Sequence, residues 1–476
     1  MSASIWGPSA GFAYPDFLNV KAYPFFAKGD GVTDDTAAIQ AAINAAYKRT
    51  LLFPTGIYKI TSALNVITDG IRLLGEQFGN AVLIQYNDNT PFIKIGDGTL
   101  VNRVTRSQFE NLIFLPRPGS ANWTSAYAIE AAYASFLNFV NLDIYGIDGA
   151  ARRLFGGIKL DRVSFSNIYE CWARGIKGNG VFTVGASGNL TADIRIQNTY
   201  ITDFEGNGLH FSDFTNGHFV INPEIVTSIG QNGVYVDSNP ATGGSNFFFT
   251  NLNMELSGTT CDGVTLNRGS LIQFQDGWWG ASAGKSAVRI APGVSNVTFN
   301  GPWTTEGRWL VEGTNVKVHG PGNIGSLVPA ASPAMTIVGA TSSIVDVNGM
   351  AFSQFTNGGI ATTGTPADIN IQNNDFTSLG GGVPISGNFG ARSQITNNRG
   401  DTVRGAASAI TVTASPFTYT AGPRPEFVNI TGGTVSSIVI NGVTVASATN
   451  QAISLPPNTA VTVTYSSTPT MIKTPQ

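Results

Sequence analysis

Four acidic side chains in the central part of the chain are candidates for acid–base chemistry on a sugar. Hydrolysis of a glycosidic bond requires two carboxyl groups, one that protonates the leaving oxygen and one that acts on the anomeric centre directly or through water. The residues that we predict for these catalytic roles are Glu224, Glu255, Asp276 and Glu306. The chemistry therefore requires a fold that brings two of them to one face.

Aromatic and polar side chains accompany these acids along the chain. Flat rings stack on the apolar faces of sugars, while Asn and acidic side chains hydrogen-bond to the hydroxyl groups at the sugar edge. An alternative stays open in which the tryptophans pack loops against the wall of the fold. The predicted substrate-binding residues are Asp143, Tyr169, Tyr200, Asn253, Trp278, Trp279, Trp303 and Trp309.

The elements that position these residues follow from an internal repeat. The repeat consists of a bulky apolar residue, any residue and then a third position that we call the slot. Successive slots are on average 286/11, or 26, residues apart. The segments are short, β-branched or aromatic, and broken by Gly and Asn, which argues against a helical solenoid and predicts a parallel β-helix of twelve coils. The slots hold Asn111, Asn141, Asn167, Asn198, Asn222, Asn251, Asp276, Gly301, Gly320, Gly349, Asn373 and Asn397.

The same repeat predicts which side chains face outward. Residues one and three positions after the slot are mostly apolar and face the core, so residues two and four positions after it face solvent. This arrangement puts Glu224 and Glu255 on adjacent coils, two residues apart along the strand, with Cβ atoms roughly 8 Å apart. That separation is nearer to the inverting range of about 6.5–9.5 Å than to the retaining range.

Two further acids are less regular. Asp276 occupies a slot that holds Asn in the six preceding coils. It is either an active-site carboxylate or a simple acceptor in a ladder of stacked amides. Glu306, with Arg308, lies between Trp303 and Trp309 and is a third candidate.

Residues 29–49 predict a helix that covers the open edge of the first coil. Thr33 is the expected N-cap, and Asp34 and Asp35 suit the positive end of the helix dipole.

This stretch and the turn that follows it resemble the opening signature of the pectate-lyase-like superfamily, in particular of its bacteriophage tailspike branch. With the coils, the resemblance covers residues 23 to about 400. It implies a right-handed parallel β-helix in which the acids of the signature are fold elements. The residues that carry it are Gly29-Asp30-Gly31, Asp34-Asp35-Thr36 and Phe53-Pro54-Thr55-Gly56-Ile57-Tyr58.

The coil pattern stops near Asn398, and alternating strands typical of a β-sandwich follow a Pro-rich stretch at residues 415–427. Asn441-Gly442 between two such strands is a strong hairpin signal. From residue 427 to the last residue the only charged side chain is that of Lys473. So neutral a surface predicts coverage by other copies of the chain, and the resemblance to tailspikes implies a homotrimer. A neutral monomeric sandwich is the alternative.

The composition argues against several classes of protein. A net charge of −3, with 12% charged residues among 476, gives no general attraction to nucleic acid, and no apolar run is long enough to insert into a membrane. Cys171 and Cys261 are expected to be free thiols. The histidines lack metal-ligand spacing, so we expect no metal and no cofactor.

Six basic residues lie within 26 positions. They form either a patch that holds acidic sugars or a solvated wall, and both readings stay open. They are Arg152, Arg153, Lys159, Arg162, Arg174 and Lys177.

The sequence thus predicts a lead segment at residues 1–22, a β-helix with its capping helix at 23–404 and an oligomerisation sandwich at 405–476. The resemblance implies a tailspike of the virion tail that binds the phage tail or baseplate. Its expected activity is depolymerisation of a bacterial capsule or O-antigen by glycoside hydrolysis with paired carboxylates. A polysaccharide lyase and a binding-only receptor fibre are the alternatives on the same fold.

Overall fold

The computed structural model describes residues 17–101, 103–148, 151–239, 245–339, 344–364, 366–401 and 406–476. The chain divides into two compact units, unit 1 (Met1–Gly206) and unit 2 (Asn207–Gln476). Within the described ranges the only α-helix is α1 (Thr36–Ala45), and no helix is long and apolar enough to cross a membrane. Nearly all other regular structure is β-strand.

The strands of unit 1 are short because Gly, Asn and Pro interrupt them at each bend. They are β1 (Phe17–Asn19), β2 (Asp30–Asp34), β3 (Thr50–Phe53), β4 (Gly56–Ile60), β5 (Leu64–Val66), β6 (Arg72–Gly75), β7 (Ala81–Gln85), β8 (Ile93–Ile95), β9 (Val104–Thr105), β10 (Gln108–Glu110), β11 (Ile113–Pro116), β12 (Tyr127–Ser135), β13 (Asn138–Val140), β14 (Asp143–Tyr145), β15 (Ile147–Asp148), β16 (Ala151–Arg152), β17 (Gly156–Tyr169), β18 (Trp172–Ile176), β19 (Val181–Val184), β20 (Thr191–Gln197) and β21 (Tyr200–Phe204).

Unit 2 continues the numbering. Its strands are β22 (Asn207–Phe211), β23 (Thr215–Asn216), β24 (His218–Ile221), β25 (Glu224–Thr227), β26 (Asn232–Asp237), β27 (Phe247–Leu256), β28 (Asp262–Arg268), β29 (Ser270–Trp279), β30 (Ser286–Ile290), β31 (Ser295–Asn300), β32 (Trp303–Thr304), β33 (Arg308–Val311), β34 (Thr314–Ala330), β35 (Met335–Val338), β36 (Val345–Phe355), β37 (Ile360–Thr363), β38 (Ile369–Gln372), β39 (Asp375–Ser378), β40 (Ile385–Ser386), β41 (Gln394–Thr396), β42 (Ser408–Ile410), β43 (Phe417–Thr420), β44 (Glu426–Thr431), β45 (Thr434–Ile440), β46 (Val443–Ala446), β47 (Gln451–Leu455), β48 (Ala460–Ser467) and β49 (Thr470–Pro475).

Each coil contributes one strand to each of three parallel sheets. In unit 1 the orders are β1-β3-β6-β10-β13-β17-β20 for sheet 1, β2-β4-β7-β11-β14-β18-β21 for sheet 2 and β5-β8-β12-β17-β19 for sheet 3. Unit 2, taken by itself, also has three parallel sheets, with the orders β24-β27-β29-β31-β34-β36-β38-β41 for its sheet 1, β25-β27-β29-β32-β34-β36-β39 for its sheet 2 and β22-β26-β28-β30-β33-β35-β37-β40 for its sheet 3. The predicted right-handed parallel β-helix is confirmed.

The solenoid has about 14 turns in the described residues, against the twelve predicted. The additional turns lie before the first slot that holds an asparagine. In one of them β6 ends at Gly75, so glycine occupies the slot that holds asparagine in the first predicted coils. The apolar residues of the repeat face the interior, where the rings of Phe249, Phe274 and Phe299 stack at centroid distances of 4.5 and 4.6 Å.

The slot residues form a corner between sheet 1 and sheet 2. The backbone of ten of the twelve lies in the left-handed region, with φ of 48° at Asn222 and 50° at Asn251, where Asn is several-fold enriched among non-glycine residues. Asn167 and Gly320 do not adopt this conformation. Stacked amides bond across coils, since Asn251 Nδ2 donates to Asn222 Oδ1 at 3.0 Å, and Asn141 Nδ2 to Asn111 Oδ1 at 2.8 Å. The predicted asparagine ladder is confirmed at these coils.

One slot was assigned to the wrong residue. Asn167 pairs in register with Asn138, and the left-handed corner of that coil is Glu170, with φ of 53°. The real slot is therefore three positions later in the chain than the predicted one. As a result Tyr169 precedes the corner, and Trp172 holds the outward position that Tyr169 was predicted to hold.

The N-terminal cap is shorter than predicted. The helix begins at Thr36 with Asp35 at the N-cap position, while Thr33 lies in strand β2, so the predicted N-cap was wrong. The buried carboxylate of Asp35 accepts hydrogen bonds from the backbone N–H groups of Lys28 and Gly29 at 2.6 and 2.8 Å. It holds the segment before the helix, in agreement with a role in the fold.

The other two signature acids also bind local groups. Asp30 accepts bonds from the backbone N–H groups of Val32 and Thr33, which lower its pKa to about 2. Asp34 accepts bonds from Thr36 and from the Thr61 hydroxyl. Strand β1 already pairs with β3, so the β-helix begins before residue 23, where it was predicted to start.

The C-terminal part of unit 2 consists of two four-stranded antiparallel sheets, β42-β49-β44-β47 and β43-β48-β45-β46. They enclose a core that includes Val428, Ile438 and Val463. The predicted hairpin is confirmed, because Ile440 pairs with Val443 across the left-handed pair Asn441-Gly442. The predicted domain boundary at 404/405 lies outside the described residues.

Candidate functional site

One outward-facing column runs along sheet 2 of unit 2. Glu224 pairs with Asn253, Asn253 with Trp278 and Trp278 with Trp303 on successive coils. Alternation along each strand buries the residues on either side of these positions, such as Leu252. The predicted register of this column holds for all four residues, and we call them the site column.

Glu224 and Glu255 lie on this same face. Glu255 pairs with Val226, two residues after Glu224 on the preceding coil, so the two acids are one coil and two strand residues apart. Glu224 is half-buried and Glu255 is exposed. Within the described ranges neither carboxylate has a hydrogen-bond or ion-pair partner. Two free carboxylates on one wall at roughly 8 Å between Cβ atoms can serve as an acid–base pair.

Asp276 is the corner residue one coil further on. Its φ is 53° and its exposed carboxylate accepts a bond from Gln275 Nε2 at 3.0 Å. Asp276 Oδ1 lies 2.5 Å from the point where a Cβ on Gly301 would stand, so the glycine of the next coil leaves room for this carboxylate. The corner that carries an amide in the two preceding coils, Asn222 and Asn251, therefore carries a carboxylate beside Trp278.

The four clustered tryptophans divide into two groups. Trp278 and Trp303 are 40% and 52% exposed and can present ring faces to a ligand. Trp279 and Trp309 are fully buried, so their prediction as substrate-binding residues was wrong. Trp309 packs on Phe299 at 4.8 Å, and strand alternation turns Trp279 into the core directly after the exposed Trp278.

A groove of about 420 Å³ adjoins Trp303. Its floor consists of Gly322, Gly349 and Ala351, whose small size opens the depression. Sequence reasoning missed it because the predicted column ended at Trp303. The pairing of Trp303 with Asn323 and then of Asn323 with Ala351 extends the column to this groove.

Polar groups stand on the walls of this groove. Asn323 Oδ1 accepts a bond from the Ser353 hydroxyl at 3.2 Å. Asp375 accepts bonds from the Thr377 hydroxyl and backbone N–H, which lower the pKa of its carboxyl, and Arg399 lies 3.5 Å away. Asp375 therefore stays ionised and suits hydrogen bonding to hydroxyl groups. An acid at this slot-plus-two position was the signal that could have identified it.

Unit 1 carries a smaller aromatic surface on its own sheet 2. Trp172 stacks on Tyr200 with centroids 4.8 Å apart, and Trp172 was missed because of the register error. Asp143 pairs with Trp172 from the preceding coil, but its side chain is only 5% exposed. Arg174 donates hydrogen bonds to both of its carboxylate oxygens, at 2.5 and 3.0 Å. The prediction that Asp143 is free to bind sugar was wrong, because its hydrogen-bonding capacity is used by Arg174.

Several members of the basic cluster are paired with acidic side chains. Arg152 lies 3.5 Å from Asp203 and Arg162 lies 2.5 Å from Asp161. Together with Arg174, at least half of the six cations thus have an acidic partner among the described residues. This favours the solvated wall over a patch that holds acidic sugars.

Glu306 lies apart from the other predicted catalytic acids. It belongs to the turn between β32 of sheet 2 and β33 of sheet 3, and it lines a different cavity of about 360 Å³ with Lys285 and Arg308. The site column contains no part of this turn. Glu306 is therefore not brought together with the Glu224–Glu255 pair.

Burial shifts the pKa values of two histidines and one cysteine away from their ordinary range. Burial lowers the pKa of His218 to about 3 and of His210 to about 4, and it raises the pKa of the Cys171 thiol to about 12. Cys171 and Cys261 are free and buried. In the part of the chain that the structure describes, no group of three His, Cys, Asp or Glu side chains could hold a metal ion.

A family model described as Rhamnogalacturonase A/epimerase, pectate lyase-like, matches residues 17–258, just over half of the chain. The A-module of Azotobacter vinelandii mannuronan C-5 epimerase AlgE4 is 20% identical and superposes with a TM-score of 0.53 over 80% of this chain and 100% of that module. At this identity the match concerns the fold alone.

Two curated relatives match shorter segments. Glucan 1,3-beta-glucosidase of Cochliobolus carbonum is 48% identical over 54 residues, which are 11% of this chain and 7% of that protein. The capsule K30/K69-specific Depolymerase 1 of Klebsiella phage K5-2 is 40% identical over 77 residues, 16% of this chain and 10% of that protein. The chain thus spans a tenth or less of the length of either relative.

Proposed function

Because this chain belongs to the Rhamnogalacturonase A/epimerase, pectate lyase-like family, we propose that it binds and depolymerises a bacterial surface polysaccharide, a capsule or an O-antigen. The observation that carries the proposal is the pair Glu224 and Glu255 on adjacent coils of one outward face, with exposed Trp278 on the next coil and exposed Trp303 on the coil after it. Glycoside hydrolysis requires a pair of carboxyl groups, and exposed rings beside them can bind the sugar.

The proposed mechanism is inverting hydrolysis. One carboxyl group protonates the leaving glycosidic oxygen while the other takes a proton from a water molecule that attacks the anomeric carbon from the opposite face. Glu255 is the more exposed of the two and has the freer access to water, so we assign it the base. Glu224 then acts as the acid. Asp276, one coil away, contributes negative charge next to the developing positive charge on the sugar.

Substrate binding extends along the site column. Trp278 and Trp303 offer ring faces to successive sugars, and Asn253 between them and the acids offers an amide. Beyond Trp303 the groove with Asn323 and Asp375 adds hydrogen-bonding groups. Successive coils repeat about every 4.8 Å, close to the spacing needed to follow an extended glycan.

The phage depolymerase segment shared with this chain supports a role as a tailspike that acts on the host surface from the virion tail. Tailspike assembly as a homotrimer is part of the proposal. It is supported by the uncharged outer face of sheet β42-β49-β44-β47, where Phe427 and Ile472 are exposed. Light scattering of the purified chain should then give about three times 50.0 kDa, and a mass of one chain would exclude the trimer.

The activity can be tested on a panel of purified capsular and O-antigen polysaccharides. Hydrolysis predicts fragments heavier than the intact repeat by one water, new reducing ends and inversion of the anomeric configuration in proton NMR spectra. A lyase would instead give fragments with an absorbing double bond and no added water. Binding of a polysaccharide without any shortening would leave only a receptor-binding role.

A further inference from the structure

The cavity of about 360 Å³ around Glu306 is separate from the site column and is lined by a different set of residues. Three charged side chains, Lys285, Glu306 and Arg308, surround it, and its other walls are small residues that include Gly284, Ser326 and Ser332. Its volume lies at the lower end of the range of roughly 300–1,000 Å³ typical of small-molecule sites.

The fold itself brings the three charges together. Strands β30 and β33 pair on adjacent coils, and the backbone N–H of Arg308 donates to the carbonyl of Lys285 at 3.4 Å. Gly307 makes this approach feasible, because its φ is 88° and a Cβ there would lie 2.6 Å from the backbone nitrogen of Ala287. Glu306 and Arg308 thus flank a position that accommodates glycine but no larger residue.

The charges in this cavity are not neutralised by the protein. In the ranges that the structure describes, none of the three side chains forms an ion pair or a side-chain hydrogen bond. Two cations and one anion leave a net charge of +1. By contrast, Arg174 and Arg268 elsewhere in the chain each bind aspartate through two hydrogen bonds. The free cations of the cavity are therefore available to a ligand.

We infer that this cavity binds a single carboxylated sugar unit. The carboxylate lies between Lys285 and Arg308, a geometry in which the guanidinium can form a bidentate pair. Glu306 accepts hydrogen bonds from sugar hydroxyl groups, which are donors, and the Ser332 hydroxyl bonds to the rest of the ring. A neutral sugar leaves both cations unpaired.

The carboxylate of Glu306 also sets the charge that the cavity accepts. A phosphate monoester carries about −1.5 to −2 at neutral pH and would meet Glu306 at close range. A sugar carboxylate carries a single charge that matches the net charge of the site. Glu306 is, in this view, a specificity residue for monoanions and has no part in bond cleavage.

The test is saturation-transfer NMR on the full chain with methyl β-D-glucuronide as the probe and methyl β-D-glucoside as the neutral control. The wild type should give a signal for the glucuronide only. The Lys285→Met/Arg308→Met variant should bind the glucuronide at least about tenfold more weakly, because it cannot form the charge-assisted hydrogen bonds to the carboxylate. Lys94→Met, which removes an exposed lysine of β8, is the matched control and should bind as the wild type does.

Further variants make the result decisive. Glu306→Gln should gain affinity for glucose 6-phosphate, which the wild type should bind weakly. Glu224→Gln should retain glucuronide binding, so failure of the proposed cleavage activity is distinguishable from failure of this site. If the double variant melts at a lower temperature, the single variant Arg308→Met, at an exposed position, replaces it. An equal signal for both sugars, no signal, or an unchanged signal in the cation variants would overturn the inference.

Discussion

At the scale of single residues, the proposed chemistry depends on two carboxylates whose side chains are free. Glu224→Gln and Glu255→Gln each keep the shape of the side chain and remove its proton chemistry. We expect each to lower the rate of polysaccharide cleavage by about 10²–10⁴-fold, because general acid–base catalysis contributes that much. The measurement is the initial rate of reducing-end formation at saturating polysaccharide.

The matched control is Glu205→Gln, a carboxyl-to-amide change outside the site column. It should cleave at the wild-type rate, and both site variants should still bind the polysaccharide. Full activity in either site variant would remove that residue from the mechanism.

The adjacent tryptophans Trp278 and Trp279 should respond in opposite ways to replacement by alanine. Trp278→Ala removes an exposed ring, so we expect about tenfold weaker glycan binding with an unchanged melting temperature. Trp279→Ala empties a core position, so the free energy of unfolding should fall by about 3–5 kcal/mol. Binding isotherms and denaturant titrations of the two variants distinguish these effects, and similar behaviour of both would contradict the burial described above.

Much of the site could be predicted residue by residue, since the slot index correctly oriented Glu224, Asn253, Trp278 and Trp303. The prediction that Trp279 binds substrate was wrong because it followed the clustering of tryptophans in the sequence. Strand alternation allows only one of two consecutive residues to face outward. The prediction that Asp143 binds substrate was wrong for another reason. Its partner Arg174 arrives from the next coil, and the register of that coil was misjudged.

At the scale of elements, the corner residue fixes the register of every coil. Asn251 has a φ of 50° and donates to Asn222, so it satisfies both the backbone and the ladder. Asn251→Ala should lower the free energy of unfolding by about 1–2 kcal/mol, because alanine is strained in the left-handed region. Asn251→Gly should cost less, since glycine adopts that conformation freely.

Urea titrations of these two variants provide the measurement. The order of stability should be wild type, then Asn251→Gly, then Asn251→Ala. Both variants lack the ladder amide, so their order reports on the backbone alone. If the glycine variant were the less stable of the two, strain in the left-handed conformation would not decide the difference, and our explanation of the corner would be wrong.

The register error at the third coil has a physical cause. Asn167 follows an apolar residue by two positions and therefore fits the pattern, and its amide donates to Asn138 Oδ1 at 2.7 Å in a ladder of its own. The real corner, Glu170, has a residue type that the pattern does not include. A sequence repeat thus identifies the fold from many coils but does not fix the register of each coil.

At the scale of the whole molecule, acid should destabilise unit 2 through its buried histidines. His218 packs between Phe211 and Phe247, and burial lowers its pKa to about 3 from an unfolded value near 6.5. Between these values the unfolded chain binds a proton that the native chain does not. The stability contributed by the neutral imidazole is therefore complete above about pH 6.5 and is lost as the pH falls toward 3.

Replacement of His218 by phenylalanine should remove this part of the pH dependence. The free energy of unfolding of the wild type should decline more steeply between pH 6.5 and pH 4, by up to about 1.4 kcal/mol per pH unit for this one histidine. Denaturant titrations across that range measure the difference. Parallel curves for wild type and His218→Phe would contradict the burial of a neutral imidazole.

The fold class and the C-terminal sandwich could be predicted for the whole chain, because periodicity and the Asn441-Gly442 turn are local signals. The groove beside Trp303 could not, since it arises from small residues on two different coils and from a shift of register before Asn323. Likewise, Glu306 is close to the tryptophans in sequence but not in the fold. The chain turns from sheet 2 to sheet 3 at that residue and removes it from the site.

The most direct test of the account is a crystal structure of the Glu224→Gln/Glu255→Gln variant with an oligosaccharide of its polysaccharide bound. We predict that the glycan lies along Trp278 and Trp303, with a glycosidic oxygen next to position 224 and the anomeric carbon facing position 255. A glycan bound to a different sheet, or one whose nearest carboxylates belong to other residues, would contradict the assignment of the active centre.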